Sequence, residues 1–430
     1  MAIFVTFPDG EPVDYNTAYN DNVWVFKTTT NTPTVRFLIR VYDQANNELG
    51  RFRVYPTTAN NGTNYQTAFF DPSRVLQSLI SGDIDIQGAN HNGFLTSNNM
   101  HQEYYLAVNE EDVDANETYV SGEGFRPVTF PLKSVWNGSI KQLEWLTFDY
   151  NDYTILNSPS TTKKFLTYSP RTIRIDSNQS YHLYFLAPER FAAAQYNIKA
   201  YSGYNGTGSL LADGVVTNNI SVADDYDKIY FRIPVGTYDI GNIDPSLYTD
   251  TLLGSTPSTA LNGAASYTIQ LEDSSNAQTS ERFTFNVDYT CSKYQPVRLV
   301  WLNSLGGYDA MNFYQKSIIN TDIKRDQYEQ QNHDWTGFAY KYSKSSRGNT
   351  DYNVSTLAKR TINTDYLTED ESLWMEDLAT SPDVYLEDNN QLIAVNINQR
   401  KIQRKTSLND KLMQNTFEIE QSIKNRRQRG

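Results

Sequence analysis

Residues that could carry chemistry are few and poorly grouped in this chain of 430 residues. The turn Asn303-Ser304-Leu305-Gly306-Gly307 follows an apolar run, Leu299-Val300-Trp301-Leu302, and a glycine pair beside a strand can cradle a phosphate on its backbone amides. Its spacing argues otherwise, because no Gly-Lys-Ser/Thr ending follows and the G-x-G-x-x-G pattern is absent. A tight structural corner is the favoured reading: glycine takes positive φ without steric cost, and Asn303 and Ser304 can bond local amides. The acid run Glu110-Glu111-Asp112-Val113-Asp114 offers oxygen ligands for calcium, but not at the D-x-D-x-D-G spacing, so it reads as a solvated loop ending a strand over 104–108. Phe148-Asp149-Tyr150-Asn151-Asp152-Tyr153 reads similarly, with tyrosines at a strand end and acids facing water. His91, His101, His182 and His333 lie far apart, and the single Cys291 makes neither a disulfide nor a cysteine zinc site. There is no G-x-S-x-G elbow, and nothing among 50 acidic residues selects a glycosidase pair. No catalytic, cofactor-binding or metal-ligating residue is expected, and no enzymatic activity.

The elements that hold these residues are mostly strands. The composition is 13% aromatic, with 31 Tyr and 20 Phe, and such usage favours strands and turns over helices. Strands are expected over 23–28 and 34–42; in the second, Val35, Phe37 and Ile39 alternate with Arg36, Leu38 and Arg40, and a return over 50–55 makes a hairpin. Asp71-Pro72 sets up a short helix near 71–81, with Asp71 capping, Pro72 at the first helical position and Val75, Leu76, Leu79 and Ile80 as its apolar stripe. Residues 81–103 read as a polar loop. From 165 to 290, strands over 181–186, 196–201, 228–233, 267–271 and 282–289 suggest an immunoglobulin-like sandwich, in architecture alone because the Cys…Trp…Cys hallmark is missing; 240–266 reads as a long exposed excursion.

In the last third, Trp301 and Trp374 are the expected core anchors. Residues 316–364 are polar and read as an irregular arm or a segment ordered only on assembly. Thr368 with Glu371 three residues on is a capping box, Leu373, Trp374 and Leu378 face the core, and Pro382 stops the helix. Hairpins follow over 384–397 and 402–423, with Phe417 and Ile419 inward. The fold class is therefore mainly β, two or three antiparallel β-sandwich-like domains with a few short helices. Its domains are an N-terminal β-rich domain over 1–164, the sandwich over 165–290, and a C-terminal α+β assembly domain with a basic tail over 291–430.

Charge is uneven. The chain carries a formal net charge of -13, yet residues 399–430 hold nine Lys or Arg against three acids, an ending of about +6 on a body of about -19. Lys424, Arg426, Arg427 and Arg429 close that ending and are candidate assembly contacts. They suit the acidic face of a neighbouring copy better than single-stranded nucleic acid, for which stacking aromatics are lacking; passive contact with genomic DNA remains open. No run of about eighteen apolar residues is present, so no membrane is expected, and the first residues lack a signal-peptide pattern, so release by lysis is expected.

Several phrases resemble a known family. Leu299-Val300-Trp301-Leu302-Asn303 with Gly306-Gly307-Tyr308-Asp309, the segment from Trp374-Met375-Glu376-Asp377-Leu378-Ala379-Thr380-Ser381-Pro382-Asp383-Val384-Tyr385-Leu386 to Leu392-Ile393-Ala394-Val395-Asn396-Ile397, and Asn409-Asp410-Lys411-Leu412 resemble virion structural proteins of tailed phages, particularly crAss-like and marine phages of Bacteroidetes. Phe69-Phe70-Asp71-Pro72-Ser73-Arg74-Val75-Leu76 and Phe165-Leu166-Thr167-Tyr168-Ser169-Pro170 match more loosely. The resemblance implies a tail or neck ring or baseplate (tail hub) building block, a homo-oligomer that docks other tail or neck proteins, located in the virion and assembled in the host cytoplasm. The alternative is a receptor- or glycan-binding tail fibre or adhesin module, since exposed Tyr and Trp offer flat apolar faces with polar edges.

Overall fold

A computed structural model of the protein describes residues 3–5, 12–28, 34–58, 66–84, 93–97, 99–113, 119–121, 128–156, 163–188, 194–220, 229–252, 254–290, 292–329, 334–336, 339–341, 344, 348–388, 391–399, 401 and 414–427. It is mainly β, with 48% strand and 11% helix and several antiparallel sheets. Two compact units account for the chain: one takes Met1–Asp288 with Leu302–Asp309, the other Tyr289–Trp301 with Ala310–Gly430. The division between Asp288 and Tyr289 and the return of Leu302–Asp309 to the first unit set these bounds, and residues 164 and 165 both lie in the first unit.

The first unit begins with two facing sheets. The strands Ile3–Val5, Trp24–Thr28, Gln66–Phe70 and Thr57–Thr58 make one; the other is built on Arg36–Asp43, Glu48–Val54, His101–Val113 and Lys133–Trp136. The expected hairpin is present, with Phe37 opposite Val54 and Ile39 opposite Phe52. Inward positions at every second residue fill the space between the sheets: Trp24 and Phe26 from one, Phe37, Ile39, Val41, Tyr104, Leu106 and Val108 from the other. The helix is shorter than expected, Ser73–Gln77, and presents Leu76 inward while Leu79 lies exposed beyond its end. Asp71 Oδ1 accepts from the Ser73 amide at 2.9 Å, meeting one of the free donors of the first turn.

Glu110 and Glu111 do not form a solvated loop. The strand runs through them to Val113, and both are buried. Glu111 Oε2 accepts from Arg36 Nε at 2.7 Å and from Arg53 Nε at 3.2 Å, and Glu110 Oε1 accepts from the Thr28 hydroxyl at 2.6 Å. Counter-charges from two neighbouring strands make a buried carboxylate tolerable, and nothing local in the sequence announces them. The cluster at 148–153 is a single turn of 3-10 helix, Tyr150–Tyr153, capped by Asp149 and with Tyr153 buried against Phe148.

The second half of this unit is a sandwich. A six-stranded sheet ordered Thr172–Asp176, Phe283–Asp288, Ser266–Glu272, Gln195–Tyr201, Leu210–Thr217, Tyr248–Asp250 faces a sheet of His182–Leu186, Tyr230–Pro234 and Leu95–Thr96. Tyr196 and Tyr267 cross the interior and donate to the carbonyls of Pro234 and Val235 at 3.3 and 2.7 Å, while Phe283 and Phe285 pack on Tyr181. The strand Leu95–Thr96, from the stretch expected to be loop, pairs with Phe231 and Arg232, and Phe94 packs edge-on against Phe185. That pairing ties a strand before residue 164 to the strands after it. Residues 240–266 are likewise no exposed excursion: Tyr248–Asp250 adds a strand, Ala260 and Ala264 are buried, and the Tyr248 ring fills the space a side chain at Gly214 would need.

The second unit is one eight-stranded sheet with the helix Glu369–Thr380 and a small two-stranded sheet. Thr368 and Glu371 make the capping box, the Glu371 carboxylate accepting from the Thr368 amide at 2.8 Å. Trp374, Met375 and Leu378 are buried, but Leu373 is 40% exposed, because the buried stripe falls one residue later. Val384–Asp388 pairs with Gln391–Ile397 as expected, and Phe417 and Ile419 point inward from Thr416–Gln421. Residues 402–413, half of the last expected hairpin, lie outside the described residues. The stretch 316–364 is not irregular where it is described: Ile318–Glu329 pairs antiparallel, residue by residue, with Asn349–Thr361 of the strand Asn349–Asn363, with one register irregularity between Asp326 and Gln327. Polar side chains on both faces hide the period of two from a sequence reading, while the backbone ladder needs no apolar alternation.

Candidate functional site

Two regions carry the residues singled out above, and they contrast in chemistry. In the first unit, Leu302–Asp309 forms the double-glycine corner. Gly306 has φ of 93°, in the left-handed region, and a Cβ there would lie 2.4 Å from the Asn137 carbonyl oxygen. A Cβ on Gly307 would meet the Leu166 carbonyl oxygen at 2.7 Å. The corner's polar groups are already engaged by protein atoms. The Gly306 amide donates to the Asn303 carbonyl at 3.0 Å and the Gly307 amide to Asn303 Oδ1 at 2.9 Å. Trp136 Nε1 donates to the Leu305 carbonyl at 2.8 Å, the Tyr230 hydroxyl to the Gly306 carbonyl at 2.6 Å, and the Ser139 amide to the Ser304 carbonyl at 2.8 Å. The Gly306 and Gly307 amides are thus directed within the corner.

Burial sets the titration of the phenols here. It drives Tyr230 well above its ordinary value and pushes Tyr184, whose ring packs beside Tyr308, up to about 12, so both stay neutral and able to donate. Arg232, on the same strand as Tyr230, is also buried and donates to the Asp83 carbonyl at 3.4 Å. Sequence reading misses Trp136 and Tyr230 as partners of the corner because they stand 169 and 76 residues from the carbonyls they grip.

In the second unit, Trp301 and Trp374 are 0% and 3% exposed, with ring centroids 5.0 Å apart at 45°. They anchor the helix on the sheet. From that sheet the ribbon Ile318–Glu329 with Asn349–Asn363 presents its outer strand at the end of the strand order, and among the described residues nothing pairs with its other edge. Only Asp326 of its twelve residues is even half-buried; Ile318, Ile319 and Ile323 are 49%, 65% and 58% exposed. The basic ending lies along the inner strand: Asn425–Arg426 pairs with Ser355 and Thr356, and the Arg427 amide donates to the Val354 carbonyl at 2.9 Å. Lys424, Arg426 and Arg427 are exposed, and Arg429 is outside the described residues.

Elsewhere His101 and His182 are buried, and among the described residues no group of three or more His, Cys, Asp or Glu is placed to hold a metal ion. Among the same residues no helix is long and apolar enough to cross a membrane. The chain matches no protein-family model and no curated protein.

Proposed function

We propose that this chain is a structural component of a tailed-phage virion, a tail or neck ring or baseplate protein that works by self-association and by docking neighbouring virion proteins. The observation that carries this reading is the ribbon. A strand of twelve residues, exposed on both faces, has no pairing partner along its outer edge among the described residues; the backbone groups of that edge and its isoleucines suit a contact with another chain. The resemblance of residues 299–309 and 374–397 to virion proteins supplies the setting. The exposed cations Lys424, Arg426 and Arg427 on an acidic chain add a charged contact, to a neighbouring protein or passively to genomic DNA.

The test is to size the purified protein and to image phage particles carrying a label at its carboxy end. Label in a ring at the neck, tail or baseplate, in several copies, is the expected result. Label confined to distal fibre tips would favour a receptor- or glycan-binding module, and its absence from particles would overturn a virion role.

A further inference from the structure

We infer that the open edge of the ribbon is self-complementary, and that a second copy of this chain adds its own Ile318–Glu329 strand there, antiparallel, about a two-fold axis through Ile323. The inference deepens the self-association proposed above and rests on it, but it names the partner, the strand and the register. A long, uncovered edge strand is a hazard that proteins blunt with proline, bulges or a covering element. This strand contains no proline, its one register irregularity lies between Asp326 and Gln327, and its charges are arranged so that they attract a copy of themselves.

The register follows from pairing rules. In an antiparallel pair about a two-fold axis perpendicular to the sheet, opposing residues share a face, so the axis passes through a residue position. Centred on Ile323, the pairing sets Ile323 against Ile323, Asp322 against Lys324 on both sides of the axis, and Ile318 against Tyr328 at both ends, with no like charges opposed. Centred one residue earlier it would oppose Asp322 to Asp322. One residue later it would oppose Lys324 to Lys324 and Asp322 to Asp326, and two later Arg325 to Arg325. Centred on Thr321 no charges are opposed at all, so among these registers only Ile323 combines opposite-charge pairs on both sides of the axis with no like pairs; opposite charges facing across strands stabilise a pair and like charges destabilise it.

The side chains involved are available. Lys324 is 78% exposed with only a 3.8 Å contact to Asp326, and Asp322, 59% exposed, already faces Lys359 at 2.8 Å within the chain. An added Lys324 from the copy would place Asp322 between two cations. Ile319 and Ile323 share a face of the strand, so pairing would juxtapose the isoleucines of two chains around the axis. A two-fold contact joins copies in pairs facing opposite ways; within a larger assembly other surfaces would close the ring.

Cysteine trapping on the full chain tests this. With the one native cysteine, Cys291, changed to Ser, Ile323→Cys should form a covalent dimer under mild oxidation, since directly opposed residues have Cβ atoms about 5 Å apart. Thr321→Cys should not, because its copies would sit four positions out of step, about 13 Å apart. Lys324→Asp, which opposes acids on both sides of the axis, should weaken the dimer at least tenfold, and Asp322→Lys with Lys324→Asp should restore it. Failure of Ile323→Cys to cross-link above the Thr321→Cys background, or failure of the double reversal to rescue, overturns the inference. These readouts use purified protein, whereas the virion role is read on particles. Multicopy rings in which the Ile323→Cys variant forms no cross-link would sink this inference alone, and cross-links without virion label would sink the virion role alone.

Discussion

The double-glycine corner and the ribbon are both runs of backbone that leave regular sheet pairing unfinished, and they resolve it in opposite ways. In the corner, the carbonyls from Asn303 to Gly307 and the amides of Asn303, Gly306 and Gly307 find partners inside the first unit, some from side chains as remote as Trp136 and Tyr230. In the ribbon, the outer edge of Ile318–Glu329 has no partner among the described residues, and its side chains are exposed. Buried backbone polar groups are costly unless paired, so the closed corner serves stability; an exposed edge is satisfied by water until another strand replaces it, which is the basis of the association proposed for the ribbon.

The contrast can be broken by substitution. Trp301→Ala and Trp374→Ala should each cost about 3 to 5 kcal/mol in urea unfolding, because they empty the contact that fixes the helix on the sheet bearing the ribbon. Parental stability in both would mean that the ribbon has no firm base. Gly306→Val should cost about 2 to 5 kcal/mol, combining left-handed strain with collision against the Asn137 carbonyl, and ATP should leave the parental melting temperature unchanged. A clear upward shift with ATP would reopen the phosphate reading. Tyr230→Phe should cost about 1 to 2 kcal/mol, because it leaves the Gly306 carbonyl without its donor.

Alkali should find the corner before it finds the ribbon. An unfolded tyrosine loses its proton near pH 10, while burial keeps Tyr184 protonated to about 12 and Tyr230 well above its ordinary value. Above about pH 10 the unfolded chain therefore binds fewer protons than the folded one, so stability falls as pH rises through 10 towards 12. Urea midpoints measured across that range should drop, and less steeply in Tyr230→Phe. The smallest effect belongs to the ribbon, where Thr321→Val or Lys324→Asp should change the stability of the monomer by no more than about 0.5 kcal/mol.

What is legible in the sequence is what neighbours along the chain decide. The alternation at Val35, Phe37 and Ile39 fixes a hairpin face, and Thr368 with Glu371 announces a helix start, because period and capping are local. Glu110 and Glu111 escape a local reading because their burial depends on Thr28, Arg36 and Arg53 from other strands. The ribbon reads as irregular because neither of its faces is buried, which removes the alternation that betrays a strand. At the corner, glycine chemistry is readable while its distant partners are not.

Hydrogen exchange on the purified protein, followed over a range of concentrations, tests the difference between corner and ribbon most directly. The amides of Gly306 and Gly307 should exchange slowly at every concentration, while the outward amides of Ile318–Glu329 should exchange fast when dilute and become protected as the protein is concentrated. Fast exchange at the corner, or ribbon amides that stay unprotected at all concentrations while the protein self-associates, would contradict that difference.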